Sequence, residues 1–294
     1  MMEAIMDKRH FLKLLGNFGV AAPTAAITSV LLQKPLRQQE PGISVYDRVM
    51  ATGTLRCGYT PYSVGLIKDA NTGKMSGIYF DIVNRLAENL GLKVEWAEEV
   101  GWSGQIEGLN TKRYDMIGSP VSLNSGRARA ADFSIPLYYS PVHVWARASD
   151  KTLTGPVKSL NRHGIRISTL DGEQTTVFAR QFFPEAQQVS LPQSAPFSDL
   201  LLQVTTGKAD IVFAEPISVY EFMHNNPDSL RRLTPIEQPL LAVPNIILLP
   251  RGEYEFKEMI DNALREMFNA HVIDSMIDKY EIYPNSYIRE TTRR

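Results

Sequence analysis

The sequence predicts an α/β protein of two lobes. Strand-like runs alternate with amphipathic helices, which is the pattern of a mostly parallel sheet. That pattern occurs twice, the two runs lying about a hundred residues apart, and the 294-residue chain is long enough for two lobes.

In chain order, "QKPLRQQEPG" (33–42) is polar and proline-bearing and reads as a linker; globular sequence starts near Val45. "TLRCGYT" is a strand. "PYSVGLIKDANTGKMSG" is a loop with a turn at Asn71-Thr72-Gly73. "FDIVNRLAENLG" is a helix: Ile82, Val83, Leu86, Ala87 and Leu90 share one face, Asp81 suits its first turn, and Gly91 stops it. "LKVEWAEE" alternates as a strand, "GQIEGLNTKRY" is a short helix, and "YDMIGSPV" is a strand. The second run repeats the order. "HGIRISTLDG" is a strand entering a glycine turn, "EQTTVFARQFF" a helix, and "SDLLLQVTTGKADIVFAEP" gives helix, turn and strand. Two C-terminal helices follow, one carrying Phe256, Met259, Ile260, Ala263, Leu264, Met267 and Phe268, the other Val272, Ile273, Met276, Ile277 and Tyr280. Both stripes have the spacing of core faces, and the tail "NSYIRETTRR" reads as frayed.

A formal net charge of −1 gives no footprint for nucleic acid. The single cysteine, Cys57, excludes an internal disulfide and reads as a small core residue in a strand. No Cys/His cluster has metal-ligand spacing, and none of the five histidines sits in a nucleophile motif, so no metal, cofactor or triad is expected.

The N-terminus has the form of an export signal. A basic start (Lys8, Arg9, Lys13) precedes a run of roughly twenty uncharged residues. Lys8-Arg9-His10-Phe11-Leu12-Lys13 resembles a twin-arginine signal with lysine in place of the first arginine. Thr24-Ala25-Ala26 offers small residues for cleavage near Ala26. The alternative, an uncleaved anchor, is weakened by Gly16, Asn17, Gly19 and Pro23 inside the run.

From about Val45 to Tyr283 the chain resembles the family 3 solute-binding proteins, the periplasmic receptors of polar amino-acid ABC importers. The marks are "GTLRCGYTPY", "GKMSGIYFDIVNRLAENLGLKVEW", "YDMIGSPVSLNSGRARAADFSIP" and "GKADIVFAEPISVYEF" in that order. The resemblance implies the two-lobed type II periplasmic-binding-protein fold, two α/β lobes joined by two hinge strands with ligand in the cleft. The crossings are expected near Ser140–Trp145 and Leu240–Asn245. Lobe 1 would comprise 45–142 plus 243–285 and lobe 2 143–242, with signal and linker at 1–44 and a tail at 286–294. It also implies a periplasmic, monomeric protein that captures an amino acid or related zwitterion for an ABC permease and carries out no chemistry.

Site roles follow from the same resemblance. Arg127, twelve residues after Asp115, occupies the place of the arginine that clamps a ligand carboxylate. Its planar fork makes two parallel charge-assisted bonds to such a group. Ser119 and Ser122 fall where hydroxyl or backbone contacts are made; Arg129 matches no ligand position. Pro120 has no amide hydrogen and removes one contact. Glu215 replaces the family's ammonium-binding aspartate, with Pro216 holding its backbone extended. In "LDGEQTT", Gln174 takes the usual carboxylate-contact position, followed by Thr175, and Glu173 is expected to face solvent. Tyr59 and Trp102 match the aromatic walls, while Tyr62 is assigned to packing.

Cyclohexadienyl and arogenate dehydratases resemble the same family and define the alternative, an enzyme in the same cleft. Those enzymes carry a glutamate three residues after the glycine turn. Here that position is Thr175, which cannot supply an acid, and Glu173 would need a shifted register.

Replacing both Lys8 and Arg9 with glutamine is expected to leave uncleaved precursor in the cytoplasm. Fractionation and immunoblotting check this. Normal maturation in a strain lacking the twin-arginine translocase would assign the chain to the general secretion route.

Overall fold

The computed structural model describes residues 42–290; the segment that resembles an export signal, most of the expected linker, and residues 291–294 lie outside the described residues. Helix α1 (Val45–Thr52) is the first element among the described residues, where the sequence indicated only the start of globular structure. Ser44 accepts from the Asp47 amide at its start, and Gly53, at φ 63°, ends it. Strand β1 (Thr54–Tyr59) follows. A small hairpin of β2 (Ile67–Lys68) and β3 (Met75–Ser76) brackets the 71–73 turn. Helix α2 (Ile78–Asn89), β4 (Lys93–Glu99), α3 (Gln105–Asn110), β5 (Met116–Ser122), the single-turn α4 (Ser125–Ala128) and β6 (Ala131–Phe133) lead to the long β7 (Tyr138–Arg147). The second half runs β8 (Arg166–Leu170), α5 (Gln174–Phe182), β9 (Gln187–Leu191), α6 (Phe197–Thr205), β10 (Ile211–Ala214), α7 (Pro216–Asn225) and β11 (Leu230–Arg232). The long β12 (Leu241–Pro250) returns to the first half, which α8 (Tyr254–Asn269), α9 (Val272–Tyr280) and β13 (Ile288–Arg289) complete.

The principal strand order is β4-β1-β5-β12-β7-β10-β8-β9. β1 is parallel to β4 and β5, and β8 is parallel to β9 and β10. Each half therefore places its first strand between its second and third, with a long antiparallel strand beyond the third: β12 beside β5, β7 beside β10. β7 and β12 pair with each other, Leu241 opposite Val142 through to Asn245 opposite Tyr138. This pair carries the chain across between the lobes.

The same side-chain device pins both halves. The Asp115 carboxylate, ahead of β5, accepts from the Arg56 amide at 2.7 Å and from the Arg56 guanidinium at 2.9 Å. Arg48 of α1 also pairs with it. The Asp210 carboxylate, ahead of β10, accepts from the Arg166 amide at 2.8 Å and its guanidinium at 2.7 Å. The Asp115 and Asp210 amides in turn donate to the Arg56 and Arg166 carbonyls. Each aspartate sets how its strand enters the sheet beside the central one.

Apolar faces close the lobes. Ile82 and Leu86 of α2, Ile260 and Leu264 of α8 and Ile277 of α9 meet in one core. Cys57 is buried there, and burial pushes its thiol pKa up, so it is packing material rather than a nucleophile. In the second half, Phe178 and Phe213 pack on one side of the sheet and Leu200 and Val212 on the other.

The C-terminal segment departs from the frayed reading. β13 pairs with β7, Ile288 opposite Tyr139. Ser286 and Tyr287 are buried, and the Tyr287 ring meets Tyr138 edge-on at 5.0 Å. An available edge on the crossing strand orders residues 286–290 of a segment whose own composition is polar.

Asp115→Asn is expected to lower unfolding free energy by about 2–4 kcal/mol, since it leaves two arginines without their buried partner. Asp210→Asn should cost less, because the Arg166 side chain is 38% exposed against 26% for Arg56. Urea unfolding checks both; an Asp115 variant of wild-type stability would remove the staple from the account.

Candidate functional site

A cavity of about 1360 Å³ lies between the halves, floored by Val142, Val243 and Asn245 of the crossing strands. The C-terminal ends of the parallel strands and the starts of α5 and α7 open onto it, the usual ligand position in open α/β sheets.

Arg127 reaches the cavity from α4. Its amide donates to the Asn124 side chain, which caps that turn. Its guanidinium donates to the Ser122 carbonyl at 3.2 Å and to Glu173 Oε2 at 3.3 Å. Glu173 comes from the other half, and both side chains are mostly covered, 13% and 16% exposed. Gln193 donates to the other Glu173 oxygen at 3.0 Å. Glu173 therefore lines the cavity instead of facing solvent. The N-terminus of α5 favours an anion there, and the arginine of the opposite half draws its carboxylate inward.

Gln174 lines the cavity and donates to the Leu123 carbonyl across the cleft at 3.0 Å. Thr175 is buried at the cavity wall, and its hydroxyl accepts from the Leu170 amide at 2.9 Å. That bond holds the turn before α5. Ser122 lines the cavity, while Ser119 does not: it is fully buried, and its hydroxyl accepts from the Thr60 amide at 2.8 Å. Ser119 is thus a fastening for the segment after β1. Arg129 is exposed.

The aromatic assignments also change. Trp102 lines the cavity; Tyr59 lies outside it, its ring edge-on to Trp96 and its hydroxyl accepting from Lys68. Tyr62, read as packing, takes the wall position. Its ring meets Trp102 at 5.7 Å and Phe197 of the other half at 6.4 Å, and its hydroxyl stands 3.4 Å from Ser218. Pro120 lines the cavity too and rests on Gly65, where a Cβ would come within 2.3 Å of the proline ring.

Glu215 follows β10 and is the N-cap residue of α7, ahead of Pro216. Burial pushes its carboxyl up to about 7; the Ser140 hydroxyl, donating to it, opposes the rise, and the Glu221 charge adds to it. Glu221 is itself raised by burial and accepts from Ser63 of the first half at 2.8 Å. Ser218, Glu221, Phe222 and Asn225 line the cavity along with Glu215. The motif reading missed all four. Their spacing from Glu215, three, six, seven and ten residues, places them on one helical face and was the available signal.

The arrangement is that of a two-lobed cleft protein: two α/β halves, a double crossing, and charged groups from both halves facing one cavity. The comparisons agree. The model of the bacterial extracellular solute-binding proteins, family 3, matches residues 55–282, and the chain belongs to that family. It is 27% identical over 243 residues to cyclohexadienyl dehydratase of Pseudomonas aeruginosa, covering 81% of this chain and 85% of the relative. It is 26% identical over 189 residues to a probable amino-acid ABC transporter-binding protein of Haemophilus influenzae, covering 63% of this chain and 68% of that one. The crystal structure of an ancestral amino acid-binding protein, a precursor of cyclohexadienyl dehydratase, superposes with a TM-score of 0.67 at 23% identity, covering 81% of this chain and 99% of the other. The fold is the two-lobed type II periplasmic-binding-protein fold. No described helix is long and apolar enough to cross a membrane.

The raised Glu215 carboxyl gives a signed prediction. An ammonium ligand needs the ionised form, so affinity for an amino acid should climb up to tenfold per pH unit toward about pH 7 and level off above it. For the empty protein the sign is opposite. The folded value lies above the ordinary 4.5, so the stability that Glu215 contributes is full below 4.5 and lost as pH rises through about 7. Calorimetric titration between pH 5.5 and 8.5 checks the first. Glu215→Gln should flatten the profile; an unchanged slope in that variant would assign it to another group.

Proposed function

We propose that this chain is an exported receptor that captures an amino acid or related zwitterion between its lobes and delivers it to an ABC permease, working as a monomer in the periplasm. One observation carries the reading: a guanidinium, Arg127, and a carboxylate, Glu215, line the same cavity from opposite lobes. A zwitterion bridges them, its carboxylate on Arg127 and its ammonium on Glu215. Both contacts are made together only when the lobes are closed, so the ligand favours the closed form by its differential affinity. The ligand carboxylate takes Arg127 from Glu173, which retains Gln193 as a partner. Trp102 and Tyr62 exclude water beside these charges and strengthen them. Membership of the solute-binding family and the likeness to an amino-acid ABC transporter-binding protein support this reading.

A second reading, a dehydratase, rests on two observations. Glu173 lies in the cleft, and the Glu215 carboxyl, near 7, keeps a protonated fraction at neutral pH, as a proton donor requires. The likeness to cyclohexadienyl dehydratase points the same way. Binding remains the better account because Thr175 stands three residues after Gly172, where the enzymes carry glutamate.

The test uses calorimetry and a turnover assay on the same preparation. Arg127→Ala should weaken amino-acid binding by about 2–5 kcal/mol without unfolding the protein, and Arg127→Lys should recover only part of it. Wild-type affinity in Arg127→Ala removes the clamp. Appearance of aromatic product from prephenate or arogenate, abolished in Glu173→Gln or Glu215→Gln, decides for the enzyme.

A further inference from the structure

The charges facing the cavity do not balance for a simple zwitterion. Glu99 is paired with Lys68 at 2.7 Å; Glu173, paired with Arg127 in the empty cleft, keeps the Gln193 amide when a ligand carboxylate takes that arginine. Glu215 and Glu221 have one hydroxyl partner each, Ser140 and Ser63, and no described cation forms an ion pair with either. Burial works against the charge on both. A ligand with one ammonium answers Glu215 and leaves Glu221 without a counter-charge in the closed cleft.

Position gives the second argument. Glu215 and Glu221 lie six residues apart on the α7 segment, roughly 9 Å along the axis. An amino acid with a long unbranched side chain has that order of length, and the cavity of about 1360 Å³ has room for it. The walls near Glu221 suit a cation. Ser63, which bonds Glu221, is adjacent to Tyr62, and the Tyr62 ring meets Trp102 at 5.7 Å. Aromatic faces attract an ammonium or guanidinium and cover its alkyl stem.

We propose that Glu221 receives a second, distal cation, so that the ligand is an amino acid whose side chain ends in an ammonium or guanidinium. This rests on the zwitterion reading for the α-carboxylate and α-ammonium and adds the side-chain contact. Ser63 then has two roles. It brings the first lobe to Glu221 on closure and orients the carboxylate that meets the ligand terminus.

Three probes separate this inference from the reading beneath it: lysine, norleucine (which lacks the terminal amine) and cadaverine (which lacks the carboxylate). Each is titrated by calorimetry into the purified full chain and its Glu221→Gln and Ser63→Ala variants. Lysine is expected to bind the unaltered protein ten- to a hundredfold more tightly than norleucine, the scale of a hydrogen bond to a charged group. Glu221→Gln should erase that ratio by weakening lysine, with norleucine bound at least as well as before because no uncompensated carboxylate is then enclosed, while Ser63→Ala should keep most of it. Equal binding of lysine and norleucine to the unaltered protein overturns the inference and leaves the zwitterion reading standing. Loss of both ligands in equal measure in Glu221→Gln also overturns it, since Glu221 would then be a closure contact alone. Binding of cadaverine without lysine keeps the distal cation and overturns the carboxylate clamp instead.

Discussion

The structure depends on one interaction made twice: an aspartate at the head of a strand, bound through both carboxylate oxygens to the amide and guanidinium of an arginine on the neighbouring strand. Asp115 and Arg56 do this in the first lobe, Asp210 and Arg166 in the second. The bonds fix how β5 lies against β1 and β10 against β8 at their N-terminal ends. From there the chain length to the cleft is set. Twelve residues on from Asp115 stands Arg127, and five on from Asp210 stands Glu215. Asp115 is fully buried, so its carboxylate depends on these partners, and a fully bonded buried carboxylate specifies one register among neighbours.

The two lobes so organised meet along β7 and β12. These strands give a hydrogen-bonded floor on which rings and hydroxyls from both lobes converge. The hydrogen bonds across the cleft join Arg127 with Glu173, Gln174 with the Leu123 carbonyl and Ser63 with Glu221, beside one aromatic edge, Tyr62 against Phe197. Polar contacts of this kind exchange readily with water or with a ligand, whereas an apolar seam would hold the lobes together by its own burial. Closure can then be governed by what occupies the cavity.

Electrostatics within the cleft follow the same division. The first lobe supplies the guanidinium and one carboxylate, Glu99, which Lys68 answers; the second supplies three, Glu173, Glu215 and Glu221. Glu173 occupies Arg127 in the way a ligand carboxylate would, and Gln193 is placed to keep it when displaced. Glu215 and Glu221 raise the cost of an empty, closed cleft, since burial disfavours their charged forms.

The sequence by itself determined the alternation of strands and helices, the helical core faces and the family. These depend on local period, on glycine stops and on motif order. It also pointed to Arg127 and Glu215, because each follows a recognisable strand. The direction in which a side chain points at the cleft was decided only by tertiary structure. Tyr59 and Tyr62 are three residues apart in one motif, yet the first turns to Trp96 and the second to the cavity, because β1 ends between them. Ser119 matched a contact position but is taken by the Thr60 amide. Glu173, expected to face solvent, turns inward because of Arg127 and Gln193, which are distant in sequence. The described part of the polar tail, residues 286–290, orders by pairing with β7. The stripe from Glu215 to Asn225 was visible as a helical period, but a period cannot say which face of a helix meets a cavity. That depends on where the opposite lobe lies, and so on contacts far apart in the chain.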